Sequence, residues 1–233
     1  MRLNQYISSS GFCSRRQAER YITAEKVLVN GEIAPHVYFV EDHDEVEVDG
    51  HKITHASQAI YIMLNKPSGI TCTASPDITD NIIDFVSHPE RIFPVGRLDK
   101  ETEGLILLTN DGSIVNDLMK EENKQEKEYI VTVDKNITEA FIADLSNGVD
   151  IYNPRKKGYS RTNPCPIIQL DDDTFRITLS QGLNRQIRRM CRRFQYTVTH
   201  LERVRIKHIE LGSLERGQWR NLTSEEIEGL KGK

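Results

Sequence analysis

The chain has 233 residues, of which 37% are hydrophobic and 28% charged, and a net charge of −4, as is typical of a soluble protein with one large or two ordinary domains. Mean hydropathy is −0.52, and no apolar stretch approaches the roughly 20 residues that a membrane-spanning helix needs. The four cysteines lie far apart and residues 1–5 lack the charged-then-apolar order of a secretory signal, so we expect a reduced, cytoplasmic protein with no disulfide scaffold, structural zinc site or membrane partner.

The first two predicted elements are short helices. Apolar residues recur at helical spacing over residues 3–7, and Gly11 can end that helix. Ser14 begins a capping box, because its hydroxyl can accept a hydrogen bond from the amide of Gln17. Apolar residues within 18–22 then form the buried stripe of the second helix.

A small sheet is predicted to follow the two helices. Residues 27–29 predict a strand that enters a tight turn at residues 30–31. Valines alternate with acids over residues 46–48, as in a half-exposed strand. The prediction is therefore an ααβ module over residues 1–50, followed by a polar linker over residues 51–57.

Residues 58–233 are predicted to form a second, larger domain of the α+β class. Strands are predicted over residues 60–64, 105–109, 128–133, 175–179 and 204–211. Helices are predicted over residues 81–86, 113–119 and 139–145, with Thr138 as the N-cap of the third and a last helix after Thr223. Residues 171–173 fit the tip of a hairpin. Because strands and helices mix without βαβ regularity, we expect a mixed, mostly antiparallel sheet.

The acidic net charge conceals two basic segments. Residues 1–31 carry five Lys or Arg against two acids, and residues 176–207 carry nine against one. Between them, residues 32–50 carry seven acids and no Lys or Arg. Such blocks create local fields that the total charge hides, so an anionic partner remains compatible with the composition.

Residues 184–194 form the sharpest local pattern. At about 100° per residue, the apolar side chains share one face of a helix: Ile187, Met190, Cys191 and Phe194. The arginines share the opposite side: Arg185, Arg188, Arg189, Arg192 and Arg193. Like charges this close repel one another and weaken the helix, so the pattern favours a phosphate-binding face over an ordinary solvated surface.

The polar loop from Gly96 to Gly104 places Asp99 between two cations, Arg97 and Lys100. The cations favour the ionised carboxylate, and a carboxylate held in this way can act as a nucleophile or a base. An ordinary turn between two apolar segments would carry the same residues. The loop is therefore a candidate catalytic segment.

Several common catalytic motifs are missing from the sequence. It contains no HExxH, GxxxxGK[ST], GxGxxG or GxSxG, and its seven histidines are scattered without ligand spacing. The acids at residues 171–173 superficially resemble a metal cluster, yet adjacent acids in a turn are usually solvated. We therefore expect no metal and no cofactor.

Several of these segments together resemble one known family. GRLDKETEGLILLTNDG at 96–112 resembles the catalytic-Asp motif of the RsuA/RluB/RluF family of ribosomal RNA pseudouridine synthases. KEY at 127–129 and GLNRQIRRM at 182–190 resemble that family's next two motifs, and LNKPSG at 64–69 is similar to the opening segment of its catalytic domain. SRRQAERYI and VLVNG resemble the small RNA-binding domain shared with a small-subunit ribosomal protein. Residues 24–27 depart from that domain, which usually has a glycine before the strand.

The resemblance implies an RNA uridine isomerase. The bond from N1 to the ribose is broken, the uracil is rotated, and C5 is joined to the ribose without a cofactor. Asp99 is implied as the catalytic carboxylate, which either attacks C1′ or removes the C2′ proton. Tyr129 is implied to stack on the uracil, and Arg188 to pair with Asp99, with Arg185 as the alternative partner. The remaining pocket residues are Arg97, Leu179 and Lys66. The target base has to leave its helix to reach them.

The resemblance also implies the partner. RNA contacts are assigned to the two basic segments: Arg2, Arg15, Arg16, Arg20, Arg185, Arg189, Arg192 and Arg193. The large-subunit branch of the family is the most similar, which implies a stem-loop of 23S ribosomal RNA as substrate, with transfer RNA left open, and a monomeric enzyme.

Two other functions compete with this interpretation. A non-catalytic RNA-binding or ribosome-assembly factor would keep the same folds, but the retention of Asp99, Tyr129 and Arg188 together argues against it. A metal-dependent RNA nuclease that uses residues 171–173 would lose activity in a chelator, and the isomerase would not.

Overall fold

The computed structural model describes residues 1–54, 58–75, 77–119, 125–154 and 156–230. The helices are, in chain order, α1 (Leu3–Ser9), α2 (Arg15–Thr23), α3 (Ile82–Val86), α4 (Gly112–Met119), α5 (Glu139–Ser146), α6 (Gln186–Arg193) and α7 (Ser224–Leu230). Within these described ranges, every helix is too short or too polar to span a bilayer. The strands fall into one small sheet, one large sheet and one separate hairpin.

The small sheet belongs to the N-terminal module and has the strand order β2-β1-β3-β4. Its strands are β1 (Val27–Val29), β2 (Glu32–Ile33), β3 (Val46–Val48) and β4 (His51–Lys52). The predicted cap on α2 is confirmed, since the Ser14 side chain accepts a hydrogen bond from the Gln17 amide. β4 pairs with β3, and Ile53 packs into the same core. The module therefore extends past residue 50, and residues 51–53 belong to it and not to a linker.

The turn between α2 and β1 forms although residues 24–27 lack the glycine expected there. Glu25 adopts a left-handed backbone with φ of +57°, the conformation that glycine adopts at little cost. The amide of Lys26 donates to the carbonyl of Tyr21, which closes the end of α2. A glutamate therefore occupies the strained position, and the helix-to-strand turn is retained.

The large sheet follows the order β11-β12-β8-β13-β7-β5-β15, with β14 beside β13 and β6 beside β7. Its strands are β5 (Tyr61–Lys66), β6 (Phe93–Val95), β7 (Glu103–Thr109), β8 (Lys127–Val133), β11 (Ile167–Gln169), β12 (Thr174–Leu179), β13 (Val198–Ile206), β14 (Ile209–Glu210) and β15 (Trp219–Asn221). The pairing of β13 with β7 is parallel and the other recorded strand pairs are antiparallel. This confirms the predicted mixed, mostly antiparallel α+β domain. A separate hairpin consists of β9 (Asp150–Asn153) and β10 (Gly158–Arg161).

Most predicted elements of this domain are present within a residue or two of their expected bounds. Thr138 caps α5 through the amide of Phe141, and the hydroxyl of Thr223 accepts from the amide of Glu226 at the start of α7. Residues 171–173 form the turn between β11 and β12, as predicted. The strand expected over 204–211 is wrong in its extent. β13 starts at Val198 and breaks at Lys207, where φ is +54°, and a bulge near its start interrupts the alternation that would have revealed it.

The parallel junction between β7 and β13 joins the two halves of the large sheet. It pairs Glu103 with Glu202 and Gly104 with Arg203. Gly104 has φ of +92°, and a Cβ atom there would collide with the backbone of Arg203, so the junction requires glycine. Beyond it, the Arg203 Nε donates to the Leu105 carbonyl at 2.7 Å. The Arg203 side chain thus donates a hydrogen bond to the β7 carbonyl that follows the last residue of the parallel backbone pairing.

Candidate active site

A cavity of about 610 Å³ lies where the Asp99 loop, β8, the end of β12 and the start of α6 meet. Most of the predicted catalytic and pocket residues line it: Arg97, Asp99, Tyr129, Leu179, Arg185 and Arg188. These residues come from four separate parts of the sequence. The fold therefore brings together the groups that the family resemblance implied.

The Asp99 loop connects β6 to β7 and is fixed by its backbone. The amide of Thr102 donates to the Asp99 carbonyl at 3.0 Å, which closes a turn, and the amide of Gly69 donates to the Lys100 carbonyl at 2.8 Å. Leu98 is buried, and its amide donates to the Cys72 sulfur at 3.4 Å. The Asp99 side chain is 29% exposed. The loop is therefore rigidly supported, and its carboxylate remains accessible from the cavity.

Lys66 has a different position from the one predicted. It is fully buried, and its Nζ donates to the carbonyls of Pro67 and Ile70, both at 2.8 Å, and of Lys100 at 3.2 Å. Burial lowers the pKa of its ammonium group. Lys66 is not among the described residues that line the cavity, because three carbonyls under the loop satisfy its donors. The predicted pocket residue is instead an anchor that ties the 66–70 segment to the Asp99 loop.

The ion pair of Asp99 is made by Arg185. Its Nη1 lies 3.9 Å from Asp99 Oδ2 and 3.0 Å from Glu101 Oε2. The hydrogen bond from Arg185 lowers the pKa of Glu101. Arg185 precedes the first turn of α6 with a left-handed φ of +50°, so it belongs to the loop before the helix and reaches the Asp99 loop.

Arg188, the partner preferred from the sequence, makes a different contact. Its Nη1 donates to the Val198 carbonyl at 3.1 Å, and its Nε is buried without a hydrogen-bond partner among the described residues. Burial and the charge of Arg185 lower the pKa of Arg188, while Glu101 and Asp99 act in the opposite direction. The preferred pairing with Asp99 is therefore wrong for this structure, and the alternative partner Arg185 is the one observed.

Tyr129 and Leu179 form the apolar wall of the cavity. Tyr129 lies on β8 opposite Ile177 of β12 and Arg203 of β13. It is half-buried and packs against two separate hydrophobic cores, one under α5 and α6 and one under α3. Leu179 is almost fully buried at the end of β12. The Tyr129 ring therefore lies between two hydrophobic cores, and part of its surface is accessible from the cavity.

Two further cations in the cavity were not identified from the sequence. Arg203 is 4% exposed, and its Nη2 is buried without a partner among the described residues. Lys127 is half-buried, and burial, followed by the nearby charge of Arg203, lowers its pKa. The alternation of a strand places Lys127 on the same face of β8 as Tyr129, so the KEY motif contained a usable signal. Arg203 gave none, because β13 was expected to start after it.

The arginines assigned to RNA lie at residue 2, on α2, on α6 and in the loop directly before α6. Arg2, Arg15, Arg16 and Arg20 are exposed on the small module. On α6, Arg192 and Arg193 are exposed, whereas Arg189 is half-buried and donates to the Tyr152 carbonyl and to Asn184 Oδ1. The predicted apolar face of α6 is confirmed, with Ile187, Met190 and Cys191 buried. Within the described ranges, no three side chains of the metal-binding types converge.

Known families and relatives match both parts of the chain. Residues 60–193 match the model of the RNA pseudouridylate synthase family, and residues 1–37 match the S4 domain. The dual-specificity RNA pseudouridine synthase RluF of Escherichia coli K12 is 48% identical over 97% of this chain and 77% of its own length. The ribosomal large subunit pseudouridine synthase B of Bacillus subtilis is 32% identical over 99% of this chain and 95% of its own.

A solved structure extends the likeness to the fold. The crystal structure of a pseudouridylate synthase aligns with a TM-score of 0.70 and 32% identity over 99% of both chains. With a family match across the cavity and relatives that span nearly the whole chain, the protein belongs to the RNA pseudouridylate synthase family and carries an S4 domain before its synthase domain.

Proposed function

We propose that this enzyme converts a specific uridine of 23S ribosomal RNA to pseudouridine, with Asp99 as its catalytic carboxylate. The observation that carries the proposal is the placement of Asp99 in the cavity, 29% exposed and 3.9 Å from the Arg185 guanidinium. A guanidinium at that distance can hold the carboxylate in a fixed orientation toward the cavity. An accessible carboxylate in the same cavity as an aromatic ring suits a reaction that handles a flipped nucleobase.

Each cavity residue has a separate role in the proposed reaction. Asp99 either attacks C1′ of the ribose or removes the C2′ proton, and the glycosidic bond to N1 breaks. Tyr129 stacks on the freed uracil while it rotates. C5 then bonds to C1′, either as the Asp99–C1′ bond breaks or as Asp99 returns the proton to C2′. The C5 proton leaves, and N1 gains a proton. The product is an isomer of the substrate, so the reaction consumes no co-substrate.

The S4 domain is proposed to hold the RNA while the synthase domain acts. Its exposed arginines on α2 lie in a module that contributes no lining residue to the cavity among those described. Phosphate contacts of this kind position a nucleic acid without reading its bases. The large-subunit target is supported by the name of the Bacillus subtilis relative. The dual-specificity name of the Escherichia coli relative supports a second RNA class, for which we propose transfer RNA.

We further propose that the enzyme works as a monomer in the cytoplasm, where unmodified ribosomal RNA is made. The cavity is assembled from residues of one chain, so a second copy is not needed to complete it. Size-exclusion chromatography with light scattering tests the oligomeric state.

The deciding experiment is tritium release from unmodified 23S ribosomal RNA that carries uridine labelled at C5. Release by the wild-type protein in the presence of EDTA, and its loss in Asp99→Asn, are the expected results. Binding without release would favour an assembly factor instead. Strand cleavage that stops in EDTA would favour a nuclease.

A further inference from the structure

The β9–β10 hairpin carries a pair of exposed tyrosines on its outer face. Tyr152 and Tyr159 lie directly opposite each other in the antiparallel register. Their side chains are 49% and 76% exposed, and their ring centroids are 6.0 Å apart with the planes at 78°. A contiguous exposed apolar surface can mark a binding site.

The inner face of the hairpin fixes it to the synthase domain. Ile151 is almost fully buried in the core that also contains the apolar face of α6. On the same strand, the Tyr152 carbonyl accepts a hydrogen bond from Arg189, and Arg189 also donates to Asn184 Oδ1 at 3.0 Å. Asn184 lines the cavity that contains Asp99. The tyrosine pair is therefore connected to the cavity rim through one arginine of the basic helix.

The charges around the tyrosines suit an anionic partner. Arg161 pairs with Asp150 at 3.4 Å, so these two charges offset each other. Lys156 and Lys157, both exposed, stand in the turn of the hairpin. The neighbouring helix adds Arg192 and Arg193, which are exposed as well. Exposed aromatic faces among cations are the arrangement by which proteins bind unpaired nucleic acid bases.

We propose that Tyr152 and Tyr159 form a stacking platform for unpaired bases that flank the target uridine. The proposal rests on the proposed function, because it takes the RNA in the cavity as its occupant. Stacking accepts any base, whereas phosphate contacts carry the salt dependence. The platform therefore contributes affinity and holds the strand beside the cavity without selecting a sequence. Tyr159, the more exposed ring, contributes more than Tyr152.

A cross-strand aromatic pair also stabilises a hairpin, so the test has to separate stacking on RNA from hairpin stability. Tyr159→Ala removes both properties, Tyr159→Leu keeps an apolar side chain without a π-face, and Tyr159→Phe keeps the ring. Ile168→Ala, at an exposed strand position of β11, is the matched control. Thermal unfolding of each variant reports hairpin and domain stability.

Binding is measured by fluorescence anisotropy with a fluorescein-labelled RNA hairpin that has a single-stranded, uridine-rich loop. We expect Tyr159→Ala and Tyr159→Leu to bind about 5- to 150-fold more weakly, the equivalent of one lost stacked base. Tyr159→Phe and Ile168→Ala should bind like wild type, and the salt slope should be unchanged in all four, because no phosphate contact is lost.

The outcome is decisive in either direction. Wild-type affinity in Tyr159→Leu, or equal losses in Tyr159→Leu and Tyr159→Phe, would overturn the platform and leave the pair a stabiliser of the hairpin or a contact for another protein. Tritium release by the wild-type enzyme tests the proposed function separately. If the wild-type enzyme releases tritium and the Tyr159 variants bind RNA like wild type, only the stacking platform is refuted and the proposed function stands.

Discussion

Arg185 places its guanidinium 3.9 Å from the Asp99 carboxylate and 3.0 Å from that of Glu101. One cation therefore serves two acids, and its shorter contact is to the more exposed of them. Glu101 competes with Asp99 for Arg185 as long as no RNA is bound. An arriving phosphate can draw Arg185 away from either acid, so the position of the Arg185 guanidinium links the Asp99 loop to the segment before α6.

Replacing Arg185 should affect chemistry more than binding. Arg185→Gln removes the cation that pairs with Asp99, and we expect the single-turnover rate at saturating RNA to fall about 10-fold, equivalent to about 1.4 kcal/mol. Arg188→Gln should have a smaller effect on that rate, because its recorded hydrogen bond is to the Val198 carbonyl. A larger loss in Arg188→Gln than in Arg185→Gln would mean that Arg188 takes over the pairing when RNA binds.

The Asp99→Asn variant should fold and bind RNA but lose pseudouridine formation. The amide keeps the size of the side chain and removes both the charge and the nucleophile. A loss of at least about 100-fold in tritium release is expected. Asp172→Asn, an exposed acid at the β11–β12 turn, should retain full activity. Near-normal turnover by a well-folded Asp99→Asn protein would contradict the catalytic assignment.

Two substitutions of Tyr129 separate its ring from its hydroxyl group. Tyr129→Phe keeps the stacking surface, so RNA binding should be unchanged, and a slower single-turnover rate would indicate that the hydroxyl takes part in proton movement. Tyr129→Ala removes the ring and should weaken RNA binding about 5- to 150-fold and abolish turnover. Wild-type kinetics in Tyr129→Ala would reduce Tyr129 to a packing residue.

The arginines of α2 should provide affinity without chemistry. Replacing Arg15, Arg16 and Arg20 together by alanine removes exposed side chains, so folding should be unaffected. Loss of up to three phosphate contacts should reduce the slope of log K against log salt by up to about 2–3. The single-turnover rate at saturating RNA should stay near that of wild type. Unchanged affinity and slope would show that the S4 domain is not an RNA anchor in this enzyme.

The Arg220–Glu226 pair predicts a pH-dependent contribution to stability. Arg220 donates two hydrogen bonds of 2.7 Å to Glu226, and the Thr223 amide donates a third of 2.8 Å. These contacts, with that of Arg220 the largest, lower the pKa of Glu226. The folded state therefore prefers the ionised acid, and the stabilisation is complete above the ordinary glutamate pKa and lost as the pH falls through the lowered one.

Glu226→Gln tests this contribution through thermal unfolding across pH. At pH 7 we expect a loss of about 1 kcal/mol, kept small by the partial exposure of Arg220, or about 2–4 °C in Tm. The difference from wild type should shrink in acid. The exposed neighbour Glu225, changed to Gln, provides the control. A Tm difference that persists at low pH would assign the effect to packing and not to charge.

The sequence indicated in advance most of the residues that meet in the cavity, because the family resemblance is carried by short runs of adjacent residues. The resemblance of residues 96–112 and 127–129 to family motifs pointed to Asp99 and Tyr129, whose catalytic roles stay predictions. The choice between Arg185 and Arg188 was not predictable, because helical periodicity does not reveal that Arg185 adopts a left-handed backbone before α6. The role of Lys66 depends on carbonyls of the folded loop at residues 67, 70 and 100, which no sequence pattern contains.

The same limit applies to the fold. Capping residues such as Ser14 and Thr138 act on amides three positions away, so the sequence displays them directly. Arg203 depends instead on the junction with Gly104, which brings together residues about one hundred positions apart. The position of Arg203 in the cavity follows from the pairing of β7 with β13, which the sequence pattern does not reveal.

That junction also has a consequence for the order of events during synthesis. The S4 domain is complete once residue 53 has been made, and domains generally fold from the N-terminus as the chain emerges. The cavity can form only after β13 has been made, because β13 contributes Arg203 to its lining. Contacts between such distant segments also form slowly. A nascent chain is therefore expected to complete its S4 module before its cavity. We expect an incomplete chain to bind RNA without modifying it, and pseudouridine formation to begin only once the synthase domain has folded.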